Sequence, residues 1–320
     1  MFARVWAAIA RLRELRILLV VAVFAVSMWW YDRSFLSAET INSILLYQAT
    51  YAIMACGMTV LLVSGGFDLS VGSVSALSAM VSAVLIKHTA IEIPWPVAAM
   101  LGLATGAGIG LLNGLVVAKI GINPFITTLG TMLLARGLTY IVSGGVNQSI
   151  LGTPLSRWFG MERPYGVQAP IIVSLALVAV FDLFLRRNRF FRQNYYIGGN
   201  EQAAWLSGIA VTRVKLFNYC LSGALAALAG LVSAARFSTA AANAGEGDEL
   251  KVITAVIIGG ASLAGGKGTI FGAFLGCLLL AMIQPAISCL RIQVEWEKAV
   301  VGVILLTAVL LDRLGRRAER

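Results

Sequence analysis

Charge is what this chain has least of. Asp, Glu, Lys and Arg make up 12% of its 320 residues, against 59% hydrophobic, and the mean hydropathy is +0.85. Soluble domains carry about 25% charged residues, so a water-facing surface is excluded and the chain reads as a polytopic membrane protein. Histidine is almost missing: the single His88 stands in a connector with Lys87 and Glu92 and reads as a solvated loop residue. No nucleophile, base or metal constellation appears, which argues against an enzyme or a flippase. The four cysteines lack metal or redox spacing. Cys56, Cys220 and Cys277 lie in or beside apolar runs and Cys289 in a short connector, so all four read as small packing residues without a disulfide. A cleavable signal peptide is not expected, because the apolar run after Arg16 lacks a small-residue cleavage site and continues into Trp29, Trp30 and Tyr31, an interfacial aromatic cluster.

What is present is about ten apolar runs near the ~20 residues a membrane helix needs. They cover 15–31, 41–63, 70–86, 95–118, 125–142, 170–185, 216–235, 250–263, 269–287 and 299–311. The eighth is short and ends in glycine, so it either spans or is re-entrant. The formal charge of +10 would suggest nucleic acid in a soluble protein. Here the basic residues separate apolar runs and set orientation, and no nucleic acid partner is expected. With ten spans and the N-terminus inside, the cytoplasmic segments hold 16 Lys or Arg and the outer segments eight, against nine outer acids. Nine spans would move the basic tail after Asp312 outside, so both termini are placed in the cytoplasm. The expected architecture is therefore all-α, one membrane domain over 1–320, with tails at 1–14 and 312–320 and a cytoplasmic segment at 186–215.

The organising stretch is Gly65-Gly66-Phe67-Asp68-Leu69-Ser70-Val71-Gly72. Adjacent glycines bend the backbone between two apolar runs, and a carboxylate at membrane depth belongs in a protein-lined cavity or at an interface. Gly65, Gly66, Leu69 and Gly72 recur 194 positions later as Gly259, Gly260, Leu263 and Gly266. Paired breaks in corresponding hydrophobic segments point to a transport pathway. In the fourth run Gly102, Gly106, Gly110 and Gly114 leave one helix face as bare backbone, a close-packing face for another helix. Asn113 beside it is interhelical glue or a pathway residue. Arg136, deep in the fifth run, needs a partner: Asp68 is one candidate counter-ion, and backbone carbonyls are the alternative. Asn123, Thr127 and Ser70 complete the polar candidates for a path. The outer connector at 143–169 reads as a short ordered lid or docking surface, and the Gly- and Glu-rich one at 236–249 as either a flexible solvated loop or a docking element.

Within the hydrophilic segment 186–215, Asn200 to Gly208 reads as one short helix: Asn200 caps it, Glu201 meets the positive end of its dipole, and Gly208 ends it. Small Ala203 and Ala204 suit a protein groove better than lipid. Glu201-Gln202-Ala203-Ala204 followed by Gly208 resembles the coupling motif of ABC importer permeases, although no Leu-Pro follows Gly208. Taken with the Gly65–Gly72 block, Ile197-Gly198-Gly199-Asn200-Glu201, Leu206-Ser207-Gly208-Ile209 and Gly259-Gly260-x-Ser262-Leu263-x-Gly265-Gly266-Lys267-Gly268, the chain resembles the ribose/arabinose/xylose-type sugar permeases, distant relatives of the branched-chain amino acid permeases. The resemblance runs from about Leu36 to Leu311.

It implies a monosaccharide carried by alternating access across a bacterial inner membrane, with Glu201, Ala204 and Gly208 coupling to a separate ATPase that binds ATP and Mg. It implies three protein partners: a second permease copy or close homologue, the cytoplasmic ATPase, and a periplasmic or lipid-anchored sugar-binding protein. The residues agree on one point: Ala261 and Gly268 stand where a phosphate-binding loop needs glycine and Ser/Thr around Lys267, so no ATPase site is expected in this chain. An ion-coupled carrier using Asp68, and a permease for another small polar solute such as an amino acid, stay open as alternatives.

Overall fold

The structure, a computed structural model, describes residues 13–87 and 93–318. The expectations for His88, Glu92 and the outermost residues of both tails lie outside the described residues. Helices carry nearly all of the architecture. Along the chain run α1 (Arg13–Tyr31), α2 (Ala38–Val63), α3 (Val71–Lys87), α4 (Trp95–Gly114), α5 (Pro124–Ser143), α6 (Ala169–Arg187), α7 (Arg189–Gly199), α8 (Glu201–Leu206), α9 (Val211–Phe237), α10 (Asp248–Ile258), α11 (Ile270–Ala281), α12 (Ile283–Cys289) and α13 (Trp296–Ala318). Among the described residues seven helices are long and apolar enough to cross a membrane; one is α4 prolonged by a wider turn to Ile120, another is α11 running on into α12. The fold is that of an all-α polytopic membrane protein.

α2 is the axis. Its second half is apolar on every side, and a helix of that kind has nowhere to sit but the interior; from Ala52 to Val63 every residue is buried, enclosed by α9, α11, α6 and α10. α4 and α9 pack against each other along their length. The glycine face read from the sequence makes this possible: a side chain at Gly106 would meet the Gly223 carbonyl of α9, and one at Gly110 the Tyr219 carbonyl. Gly102, one turn further back, faces Ser78 and Ser82 of α3 instead, where the Ser82 hydroxyl donates to the Ala98 carbonyl at 2.9 Å.

α10 answers the question left by the eighth apolar run. It has 11 residues, about 16 Å of helix against a hydrocarbon core of ~30 Å, so it is a half-length helix. It stops at Ile258 because Gly259 and Gly260 begin a turn.

Both connectors at the end of the bundle away from α8 are ordered. Strand β1 (Gln148–Ser149) pairs antiparallel with β2 (Thr239–Ala240), Gln148 opposite Ala240, and the Asn147 side chain accepts from the Ala242 N–H at 3.1 Å. The expectation of a flexible 236–249 loop is thus corrected. Besides the strand pair, Arg136 of α5 grips it, donating through Nη1 to the carbonyls of Ala242 (3.1 Å) and Ala244 (2.7 Å).

Candidate functional site

The glycine breaks are two copies of one helix ending. After Val63, the Gly65 N–H donates to the Leu62 carbonyl and the Gly66 N–H to that of Leu61; after Ile258, Gly260 donates to Ile257 and Ala261 to Val256. This is the Schellman arrangement, which requires a left-handed residue just past the helix. Gly65 (φ +81°) and Gly260 (φ +96°) supply it. Geometrically, then, Gly65 corresponds to Gly260 and Gly66 to Ala261, one position beyond the 194-residue offset read from the sequence. Gly259, paired with Gly65 in that reading, instead has right-handed backbone and packs on Gly272 of α11.

The two breaks are also bonded to each other. The last carbonyl of α2, on Val63, accepts from the Gly266 N–H at 2.9 Å. Gly198, near the end of α7, sits between them: a side chain there would collide with both the Val63 carbonyl and the Gly266 nitrogen. Three polar contacts reinforce the junction. Tyr195 donates to the Gly268 carbonyl at 2.8 Å, and the Asn218 amide of α9 donates to Asn194 of α7 at 2.7 Å and to Ser64 at 3.2 Å. The segment that leads into α8 is therefore fastened to the ends of α2 and α10. Sequence reasoning missed Asn194 and Asn218, whose contacts span non-adjacent segments. Asn218→Leu strands the Asn194 acceptor oxygen in a buried site, while Ser64 keeps its bond to the Leu61 carbonyl, and is expected to cost about 1–3 kcal/mol, read as a lower melting temperature of the purified chain, with Asn218→Gln intermediate.

Asp68 lies just inside this junction, 1% exposed. Its Oδ1 accepts from the Ser70 N–H at 2.8 Å, the Ser70 hydroxyl at 2.6 Å and, more loosely, Asn113 at 3.4 Å. Asn113 also donates to the Ser70 oxygen at 3.0 Å, and Tyr219 donates to the Phe67 carbonyl at 3.3 Å. This ties the α2–α3 break to α4 and α9. A carboxylate that accepts several hydrogen bonds is compatible with burial where an isolated one is not. Arg136 is not its counter-ion. The guanidinium is committed to the two connector carbonyls, so the carbonyl alternative is the correct one.

Other sequence candidates lie apart. Asn123 caps α5, accepting from the Phe125 N–H at 2.8 Å, and the Thr127 hydroxyl returns to the Asn123 carbonyl at 3.1 Å. Their polar groups are used within the first turn of α5.

The helix α8 forms as its sequence requires. Asn200 Oδ1 accepts from the Ala203 N–H at 2.9 Å, and Gly208, at φ +85°, closes a third Schellman turn with Ile209 donating to Ala204. The side chains differ from the expectation in one respect. Ala204 is not a knob for an external groove: it is 4% exposed and packs with Ile197, Val211 and Val214 of this chain. Glu201 pairs with Lys215 of α9 at 2.6 Å. Those two residues seat the helix. What faces outward is Trp205 (66% exposed) and Leu206 (73%).

A helical bundle of membrane-crossing length, broken by matched glycine turns and carrying a short outward-facing helix that follows directly on the segment bonded to those turns, fits a membrane permease subunit. The chain belongs to the family described as branched-chain amino acid transport system / permease component, whose profile matches residues 40–309. It is 39% identical to the ribose import permease protein RbsC of Escherichia coli K12 over 97% of this chain and 95% of that one. It is 38% identical to the protein of the same name from Bacillus subtilis over 88% and 86%, and 37% identical to the L-arabinose transport system permease protein AraH of Escherichia coli K12 over 100% and 94%. No solved structure matches it.

Proposed function

We propose that this chain is the membrane-spanning subunit of an ATP-driven importer that passes a monosaccharide of the pentose or hexose class across a bacterial inner membrane by alternating access. The observation that carries the reading is the near end-to-end similarity to ribose and arabinose permeases, which favours a sugar over the amino acids in the family's description. A separate ATPase binds ATP and Mg. A periplasmic or lipid-anchored binding protein delivers the sugar, a second permease copy or close homologue completes the path, and both termini are cytoplasmic. The fastening of α7, which leads directly into α8, to the two glycine breaks supports a lever. A movement of α8 imposed by the ATPase reaches the ends of α2 and α10 through Gly198, Tyr195 and Asn218, where turns rather than continuous helix absorb it.

The test is ATPase activity of the chain co-expressed with candidate nucleotide-binding subunits in lipid, with binding protein loaded from a panel of pentoses and hexoses. Stimulation by one loaded sugar is expected; association with no ATPase would overturn the reading. The ion-coupled alternative is tested at Asp68. Asp68→Asn keeps the acceptor oxygen for Ser70 and Asn113, so ATP-driven uptake is expected within about threefold of the parent, a loss below about 0.7 kcal/mol. Folded protein that binds its ATPase but has lost uptake in this variant would instead give the carboxylate a proton-coupling role.

A further inference from the structure

A cavity opens at the far end of the bundle from α8, and the 236–249 connector forms part of its wall. It measures 420 Å³ and lies between α2, α3, the last turns of α9 and the connector into α10. That volume falls within the roughly 300–1,000 Å³ of small-molecule sites. α9 runs from α8 to its wall over 27 residues, about 40 Å, so the cavity faces the opposite side of the membrane.

Its lining is unusual for a membrane protein interior. Tyr47 and Tyr51, one turn apart on α2, present paired rings with centroids 5.5 Å apart. The Arg236 guanidinium lies 4.8 Å from the Phe237 ring and 6.0 Å from that of Tyr47. Asp248, the first residue of the half-length helix α10, accepts from the Tyr51 hydroxyl at 3.0 Å. The nearby Lys251 pairs with Glu297 at 2.6 Å, and Asp248 lines the cavity. Ser233 adds a hydroxyl from α9.

These groups select a ligand by chemistry. A simple anion would meet Asp248 and a simple cation Arg236; a zwitterion or a neutral molecule bearing several hydroxyls satisfies both, and the sugar-import reading favours the latter, whose hydroxyls donate to the carboxylate and accept from the guanidinium. The Tyr47 and Tyr51 rings, inclined at 53° to each other, offer an apolar corner for the carbon face of such a molecule, while the Tyr51 hydroxyl stays within hydrogen-bonding reach. We propose that this cavity is a transient binding site for a neutral monosaccharide within the permease itself, with Tyr47, Tyr51, Arg236 and Asp248 as its contacts. The assignment rests on the sugar-import reading above, and places a waiting position between delivery and passage. A site of this kind has to be weak, since a carrier that holds its cargo tightly does not release it.

The experiment uses the full chain in lipid, without ATP, so that it does not depend on association with an ATPase. Cys220 and Cys289, the two half-exposed cysteines, are replaced by serine, and Ser233→Cys is labelled with a charged methanethiosulfonate reagent in the presence of D-ribose, L-arabinose or D-galactose. With sugar at about ten times a millimolar Kd, mass action slows labelling about tenfold. Val146→Cys, 59% exposed and outside the cavity, is expected to label at the same rate with and without sugar. Adding Arg236→Gln alters the sugar-free rate of a charged reagent at Ser233→Cys, since the two positions line the same cavity, but is expected to bring the ratio of rates with and without sugar to one. Equal labelling of Ser233→Cys with and without every sugar overturns the site. If that result accompanies ATPase stimulation by loaded binding protein, the site falls and the import reading stands; protection without any ATPase association leaves the sugar site and removes the importer.

Discussion

Gly223→Leu is expected to leave no folded protein, while Gly108→Leu on the facing helix is expected to behave like the parent. At position 223 a Cβ would stand 3.0 Å from both the Cα and the nitrogen of Gly110, and closer still to the Gly106 carbonyl. Every obstructing atom is backbone, so no rotamer change makes room and α4 must separate from α9 as a whole. The cost therefore exceeds the about 1–3 kcal/mol of ordinary overpacking, where side chains can shift. Separation also withdraws Asn113 and Tyr219 from the Asp68 turn, leaving that carboxylate short of a partner in a buried site. Gly108 lies on the same α4 as Gly106 and Gly110, but nothing stands within 4 Å of its Cβ position. A comparable yield of monodisperse protein from both leucine variants would show that the close approach of α4 and α9 is not what holds the bundle.

That glycine face was legible in the sequence because its four-residue spacing is a local property of one helix. So were most spans, the Asn200 cap and the Gly208 ending, each set by chemistry within a few residues. Long-range pairings were less legible. Arg136 finds carbonyls of Ala242 and Ala244 more than a hundred positions away, and a carbonyl acceptor leaves no mark in a sequence. Tyr51 and Asp248 are 197 positions apart, so the cavity they line could not be assembled from either segment. α7 was hidden for another reason. Its Arg189 and Arg192 made the stretch read as polar, although Phe191, Asn194 and Ile197, three apart, lie buried along one face. The repeat was found but misregistered by one residue, since matching letters aligned Gly65 with Gly259 while the left-handed turn aligns it with Gly260.

The second large effect is expected at α8, from the pair Trp205→Asp and Leu206→Asp. Both side chains are more than half exposed on a helix of six residues, and neither belongs to the cluster that seats it, which consists of Ile197, Ala204, Val211 and Val214. Exposed Trp and Leu side by side on a short helix fit a partner's pocket, and aromatic anchors of that kind commonly carry 2 kcal/mol or more of an interface, roughly a thirtyfold change in Kd. The double variant is therefore expected to fold and insert normally and to lose co-purification of its ATPase by at least about that factor. Ala204→Asp should fail differently. A carboxylate forced among Ile197, Val211 and Val214 loosens α8 from α9, so both thermal stability and ATPase association fall. Glu201→Lys sets two like charges together in place of the 2.6 Å pair with Lys215; because the Glu201 side chain is mostly solvated, its effect on stability is small, and any loss of association must come from the altered set of the helix. Gly208→Arg has open space around it, so its cost is the strain of a left-handed non-glycine residue, about 1–2 kcal/mol, plus a cation added beside Trp205 and Leu206. If the Trp205 and Leu206 double variant retains its ATPase at parental affinity while Ala204→Asp does not, the partner reads the seating of the helix and not its exposed face, and the docking contact has to be sought on α7, where Tyr196 is also exposed.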